Sequence, residues 1–166
     1  MAELREPAWR LSGRVRPGAR RFAETVCPPQ VRDGDRAERV LREFELMLAA
    51  LQPAARRAVT AGLVLIDQGA RLYPRSGCRR LARLDDRAAA DYLGALLRRR
   101  GTAAEMARRL KSMVVIGYYE LPETRREIGY DPDPYIAAVS RRRLEAYGAH
   151  IRAAEAAATG PAEPSS

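Results

Sequence analysis

The stretch Asp35-Arg36-Ala37-Glu38-Arg39-Val40-Leu41-Arg42-Glu43-Phe44-Glu45-Leu46-Met47-Leu48-Ala49-Ala50-Leu51-Gln52, followed at once by Pro53, decides the fold class. Val40, Phe44, Met47, Leu48 and Leu51 recur at three- and four-residue steps, which places them on one face of an α-helix. Asp35 with Glu38 three residues on reads as an acidic relative of the capping box that opens helices. Gln52-Pro53 closes this helix and starts another, because proline disfavours a helical residue before it yet suits a first helical position.

Toward the C-terminus the same logic continues. A second helix from Pro53 is expected to bury Val59, Leu63, Ile66, Ala70 and Tyr73. Its middle, Gly62-Leu63-Val64-Leu65-Ile66, is apolar all round, which predicts the centre of a bundle. Pro74 to Arg83 reads as a loop. Asp85 then caps a helix with Ala89, Leu93, Leu96 and Leu97 inside, stopping at Arg100-Gly101. Thr102-Ala103-Ala104-Glu105 reads as a capping box for a helix burying Met106, Leu110, Met113, Val114 and Gly117. Leu121-Pro122 breaks it, Pro122 to Ile128 can form two turns, and Gly129 suits a left-handed terminator. Asp133 and Pro134 then open a last helix over about 134–157, with Ile136, Val139, Leu144, Tyr147 and Ile151 on a weaker stripe.

Toward the N-terminus, Pro7, Pro17, Pro28 and Pro29 predict an irregular arm over 1–34 with at most one helical turn, and Trp9, the only tryptophan, is read as its docking anchor. The expectation is therefore an all-α protein. It has an arm over 1–34, a bundle of about five helices over 35–157, and a disordered tail over 158–166.

Composition agrees with helix, since alanine and leucine dominate and aromatics make up only 6% of the 166 residues. A net charge of +9 raises nucleic acid as a partner. The basic residues, however, are short arginine runs scattered along the chain and interrupted by acids, which describes a solvated or partner-facing surface. An Arg-rich nucleic-acid-binding protein is kept as the alternative function. Cys27 and Cys78 lack the spacing of a zinc site or a disulfide scaffold. Arg20-Arg21-Phe22 has no apolar run after it, and no stretch approaches a membrane span, so a cytoplasmic location is expected.

The chemistry-bearing residues assemble no catalytic pattern. His150 is the only histidine and has no nucleophile or carboxylate one turn away, Asp85-Asp86 lie where a cap wants them, and the common hydrolase, metalloprotease and nucleotide motifs do not occur. No catalytic, cofactor or metal residue is assigned. Gly117-Tyr118-Tyr119-Glu120 and Ile128-Gly129-Tyr130-Asp131 differ in kind. They gather tyrosines, which join a large apolar ring to a hydroxyl that wants a partner, and so they suit either interface contact or packing of the fourth helix. Trp9, Tyr118, Tyr119, Glu120, Arg125, Tyr130, Asp131 and Tyr135 are the candidate partner-binding residues.

Between about Phe44 and Tyr135 the order of features resembles the gluconate 2-dehydrogenase subunit 3 family. The matching pieces are Gly62 to Asp67, Leu81 to Leu84 before an Asp-capped helix, Val115-Ile116-Gly117-Tyr118-Tyr119, and Glu127-Ile128-Gly129-Tyr130-Asp131. The resemblance implies a noncatalytic small subunit of a flavin-dependent dehydrogenase or oxidase of the glucose-methanol-choline type. FAD would be carried by the large subunit and no cofactor by this chain. Many members carry a twin-arginine signal and help to export their partner. Arg20-Arg21 here lacks the apolar run, so the resemblance points instead to stabilising or maturing a cytoplasmic flavoenzyme.

Overall fold

The computed structural model describes residues 8–158. Residues 1–7 of the expected arm, and the expected tail beyond Ala158, lie outside the described residues. Among those described, the secondary structure is entirely helical: α1 (Arg16–Val26), α2 (Arg36–Ala49), α3 (Pro53–Gly69), α4 (Asp86–Arg98), α5 (Thr102–Glu120), α6 (Pro122–Glu127) and α7 (Asp133–Ala158), with short 3-10 turns at Pro29–Arg32, Ala70–Leu72, Pro74–Ser76 and Leu81–Arg83. The chain divides into two compact units, Met1–Arg125 and Arg126–Ser166.

In the first unit α5 is the central helix, packed against α1, α2, α3 and α4. Its alanines at 104 and 107 let neighbours approach, while Leu110, Val114 and Tyr118 fill the space between them. Gly117 belongs to the same logic, because a Cβ there would stand 3.3 Å from Cβ of Glu43 on α2. Phe22, Val40, Leu41, Phe44, Leu48, Leu81, Leu93 and Leu121 complete the core.

The irregular arm expected over 1–34 is corrected by α1, a helix of three turns that buries Ala19, Phe22 and Ala23. Pro17 sits in its first turn, where proline sacrifices no intrahelical hydrogen bond. The arm's arginines hold this helix to the body. Arg16 reaches Glu38 and the buried Glu45, Arg20 reaches Glu24 and Glu38, and Arg21 reaches Asp86 and the carbonyl of Leu84. The carboxylate of Glu38 is thus engaged by arginines, and Asp35 makes no side-chain cap, so the capping box expected there does not form.

The capping box expected at Thr102 is absent too. Gly101 is the cap residue with φ +109°, and Glu105 pairs with Arg108 and Arg109. At Asp85 the expectation holds, since its carboxylate accepts from the N–H of Ala88 at 2.8 Å.

The apolar middle of α3 does not occupy the bundle centre. Gly62, Leu63 and Ile66 face inward, while Val64 and Leu65 are exposed. An all-apolar run tells only that some faces are buried, and packing against α5 settled which.

In the second unit Gly129 adopts the expected left-handed backbone, φ +66°. The carboxylate that receives the N–H of Asp133, at 3.2 Å, belongs to Asp131, in place of the cap expected from Asp133 itself. Of the weaker stripe expected on α7, Ile136, Leu144, Tyr147 and Ile151 are exposed and Val139 is half-buried.

Candidate functional site

The first unit carries an apolar groove of about 500 Å³ between α3, α4, the start of α5 and the turn at Leu72–Pro74. Its walls come from the sequence in a simple way. Ala58, Ala61 and Ala95 leave room, and Leu65, Leu72 and Leu96 supply apolar surface. Gly62 brings α3 close to α5, since a Cβ there would lie 2.7 Å from Cγ of Met106.

Tyr92 anchors the groove from below. Its hydroxyl donates to the carbonyl of Ile66 at 2.8 Å, and its ring meets that of Tyr73 at a centroid separation of 5.7 Å, tilted by 56°. Burial pushes the Tyr92 hydroxyl up to about 12, with the nearby Asp67 carboxylate adding to the shift and Arg99 opposing it. The phenol therefore stays a proton donor at ordinary pH and serves as a fixed strut. Gly69 permits its approach, because a Cβ there would stand 3.1 Å from the hydroxyl oxygen.

Two leucines define the mouth. Leu65 is 71% exposed and Leu72 is 89% exposed, high values for residues that flank a common concavity. A second hollow continues along α3 and shares Ala61 and Leu65 with the first. It is lined by Trp9, Pro53, Arg56, Arg57, Thr60 and Val64. Trp9 is half-buried against the core, and the Arg56 guanidinium stacks on its ring, 5.3 Å from the centroid. The ionisable side chains lining the two hollows are Arg56, Arg57, Arg99 and the two tyrosines, with no carboxylate among them.

Of the eight candidate partner-binding residues read from the sequence, the groove face includes Trp9. Tyr118 is 3% exposed and packs in the core, where it meets Tyr119 edge-on at 5.3 Å, so it offers no contact surface. Tyr119 is exposed, and Glu120 pairs with Arg125 across the start of α6. Tyr118 lies about 24 Å along α5 from Thr102, at 1.5 Å rise per residue, so this cluster and the groove occupy opposite ends of that helix. Tyr130, Asp131 and Tyr135 are exposed in the second unit.

Sequence reading missed the groove and the two buried carboxylates that hold the first unit together. Glu45 accepts from the Leu11 N–H and from Arg16. Asp67 accepts from the Ala82 N–H at 2.8 Å and from the Gln68 amide at 3.2 Å, with Arg80 at 3.9 Å. The available signal was an acid interrupting an otherwise apolar helical run, as in Phe44-Glu45-Leu46 and Leu65-Ile66-Asp67.

Asp86 is held below the usual carboxylate range by Arg21 first and Arg32 second. Burial pushes the Cys27 thiol up to about 12, while Cys78 is exposed. His150 is exposed. Among the described residues no group of three potential ligands could hold a metal ion, and no helix is long and apolar enough to cross a membrane. The chain matches no family model, no curated protein and no solved structure.

Proposed function

We propose that this chain is a noncatalytic accessory subunit that binds a larger enzyme through the open face of α3 and helps to keep that enzyme folded. The observation that carries this reading is the pair Leu65 and Leu72, standing exposed at the mouth of an apolar groove with arginine at its rim. Exposed apolar concavities of this size mark sites of recognition. Trp9 with Arg56 adds the residue types that dominate binding energy at interfaces. Binding only the folded form of the partner would stabilise it by mass action.

The resemblance of Gly62 to Asp67, Leu81 to Leu84, Val115 to Tyr119 and Glu127 to Asp131 to the gluconate 2-dehydrogenase subunit 3 family supplies the class of partner: a flavin-dependent large subunit of the glucose-methanol-choline type, which would carry the FAD. Tyr119, Glu120, Arg125, Tyr130, Asp131 and Tyr135 are exposed or half-exposed and are available as further contacts. Arg16, Arg20, Arg21, Arg32 and Arg39, by contrast, are neutralised by carboxylates of the chain itself, which leaves them poorly suited to a polyanion.

The test is purification of the tagged chain from its native host. A stoichiometric large subunit showing flavin absorbance is the expected result. A chain that emerges alone and colourless from cells expressing its neighbouring genes sinks the proposal. DNA retention that falls steeply with added salt would favour the nucleic-acid alternative.

A further inference from the structure

Resting on the accessory-subunit reading, we infer that the groove receives an amphipathic α-helix of the partner whose apolar stripe is flanked by carboxylates. Three features of the groove select this occupant. The first is backbone accounting. The long wall is α3, whose main-chain groups beyond its first turn are bonded within the helix, so that wall offers no ladder to an extended peptide. A helix brings its own hydrogen bonds and presents only side chains.

The second is length. From Pro53 to Gly69 the α3 wall runs about 24 Å, which accommodates four to five turns of a docked helix. Its two ends are marked by Trp9 and by Leu72, with Leu65 where the two hollows join.

The third is charge. Arg56 and Arg57 stand at one end and Arg99 at the other, and no lining residue carries a negative charge to answer them. A helix with glutamate or aspartate beside its leucines meets these guanidinium groups. A second copy of this chain docked face to face would set arginine against arginine, and like charges across an interface are strongly disfavoured.

Trp9 supplies a built-in reporter, because it is the only tryptophan and lines one end. The probe is an end-blocked peptide of about 18 residues, long enough for five turns, with leucine on one helical face and glutamate on both flanks. Its twin carries lysine in place of every glutamate. Titration into the full chain, read by Trp9 emission and by peptide anisotropy, is expected to show the glutamate peptide binding about tenfold or more tightly than its twin. Arg99→Glu together with Arg57→Glu should narrow or reverse that preference. Leu65→Asp should weaken binding about tenfold without moving the thermal midpoint, since Leu65 is exposed.

The inference is overturned if neither peptide binds, if both bind alike, or if Leu65→Asp leaves binding untouched. Displacement of the peptide by laurate at one molecule per chain would assign the groove to a small apolar acid instead. Self-association in sedimentation that Leu65→Asp abolishes would assign it to a second copy.

The same variant separates this inference from the reading it rests on. If Leu65→Asp combined with Leu72→Asp still brings the large subunit through purification as the unaltered chain does, the groove assignment fails and the accessory role stands. If the unaltered chain brings down no partner while the peptides obey the charge preference, the accessory role fails and the groove assignment stands.

Discussion

Glu45, 2% exposed in the middle of α2, accepts a hydrogen bond from the backbone N–H of Leu11 at 3.0 Å, tying a residue 34 positions upstream to the core. The same oxygen receives Arg16, so one carboxylate fixes both the entry of the chain and the first turn of α1. Removing it strands the buried N–H of Leu11 and leaves Arg16 with Glu38 alone. Glu45→Ala should cost about 1–3 kcal/mol, the range for leaving a buried donor unsatisfied. Glu45→Gln, which keeps an acceptor for Leu11, should cost less. Urea unfolding decides this, and a loss below about 0.5 kcal/mol for the alanine variant would show that the contact carries no weight.

Two glycines predict opposite signs. A Cβ at Gly18 would stand 2.9 Å from Cγ of the buried Asp67, so Gly18→Ala should destabilise by about 1–3 kcal/mol. At Gly94 the nearest obstacle is the mobile end of Arg98 at 3.3 Å, and Gly94→Ala should stabilise α4 by about 0.5–1 kcal/mol. Melting curves of the two variants that shift in the same direction would refute this pairing.

Stability should fall at alkaline pH. Tyr92 and Cys27 are raised from 10.0 and 9.0 to about 12 in the fold, chiefly by burial. The fold thus favours their protonated forms. Their contribution is fully present below the ordinary values and is lost as pH rises toward the raised ones. Urea midpoints should be level up to about pH 9 and decline beyond it. Tyr92→Phe should lower stability at neutral pH by about 1 kcal/mol through the lost bond to Ile66, and should soften the alkaline decline.

The two thiols should react at different rates. Cys78 is exposed and should take up a maleimide rapidly. Cys27 is buried with its thiolate disfavoured, so it should react only through opening of the fold. Mass spectrometry over time should show one label first and the second only as denaturant is added. Two labels arriving together in buffer would contradict the burial of Cys27.

Helix caps give a paired test. Asp85→Ala removes a cap bonded to the Ala88 N–H and should cost about 1 kcal/mol. Thr102, which the sequence nominates as a cap, makes no such bond, because Gly101 holds that position. Thr102→Ala should therefore change stability by less than about 0.5 kcal/mol, as measured by the shift in melting temperature.

These contrasts show how far the sequence was legible. Asp85, Pro53, Pro122 and Gly129 act through their own backbone or the next turn, and all four sit where local rules put them. Glu38 and Thr102 obey the same rules on paper. Long-range partners overrode the first: Arg16 and Arg20, from a helix 18 to 22 residues upstream, claimed its carboxylate. Helix α1 escaped notice because its reason to be helical lies in what Phe22 and Ala23 touch, while its opening letters, Arg16-Pro17-Gly18, read as a turn. The groove was hidden for a related cause. It exists only where α3, α4 and the start of α5 converge, and no one of those segments announces an open face. Tyr118 looked like interface by its residue type, and only the three-dimensional packing could assign it to the core.

The dispersed partners of α1 also order events during synthesis. Phe22 and its neighbours leave the ribosome before the helices they pack against, and α1 completes its burial against α4 and α5, the last of which ends at Glu120. Between Val26 and Glu120 roughly 90 residues must still be translated, about 5–20 s at ordinary elongation rates. For that interval α1 has α2 to pack against and lacks the two helices that complete its burial. Arg20 and Arg21 already have Glu24 of the same helix beside them, while Arg16 waits for Glu38 and Glu45 of α2.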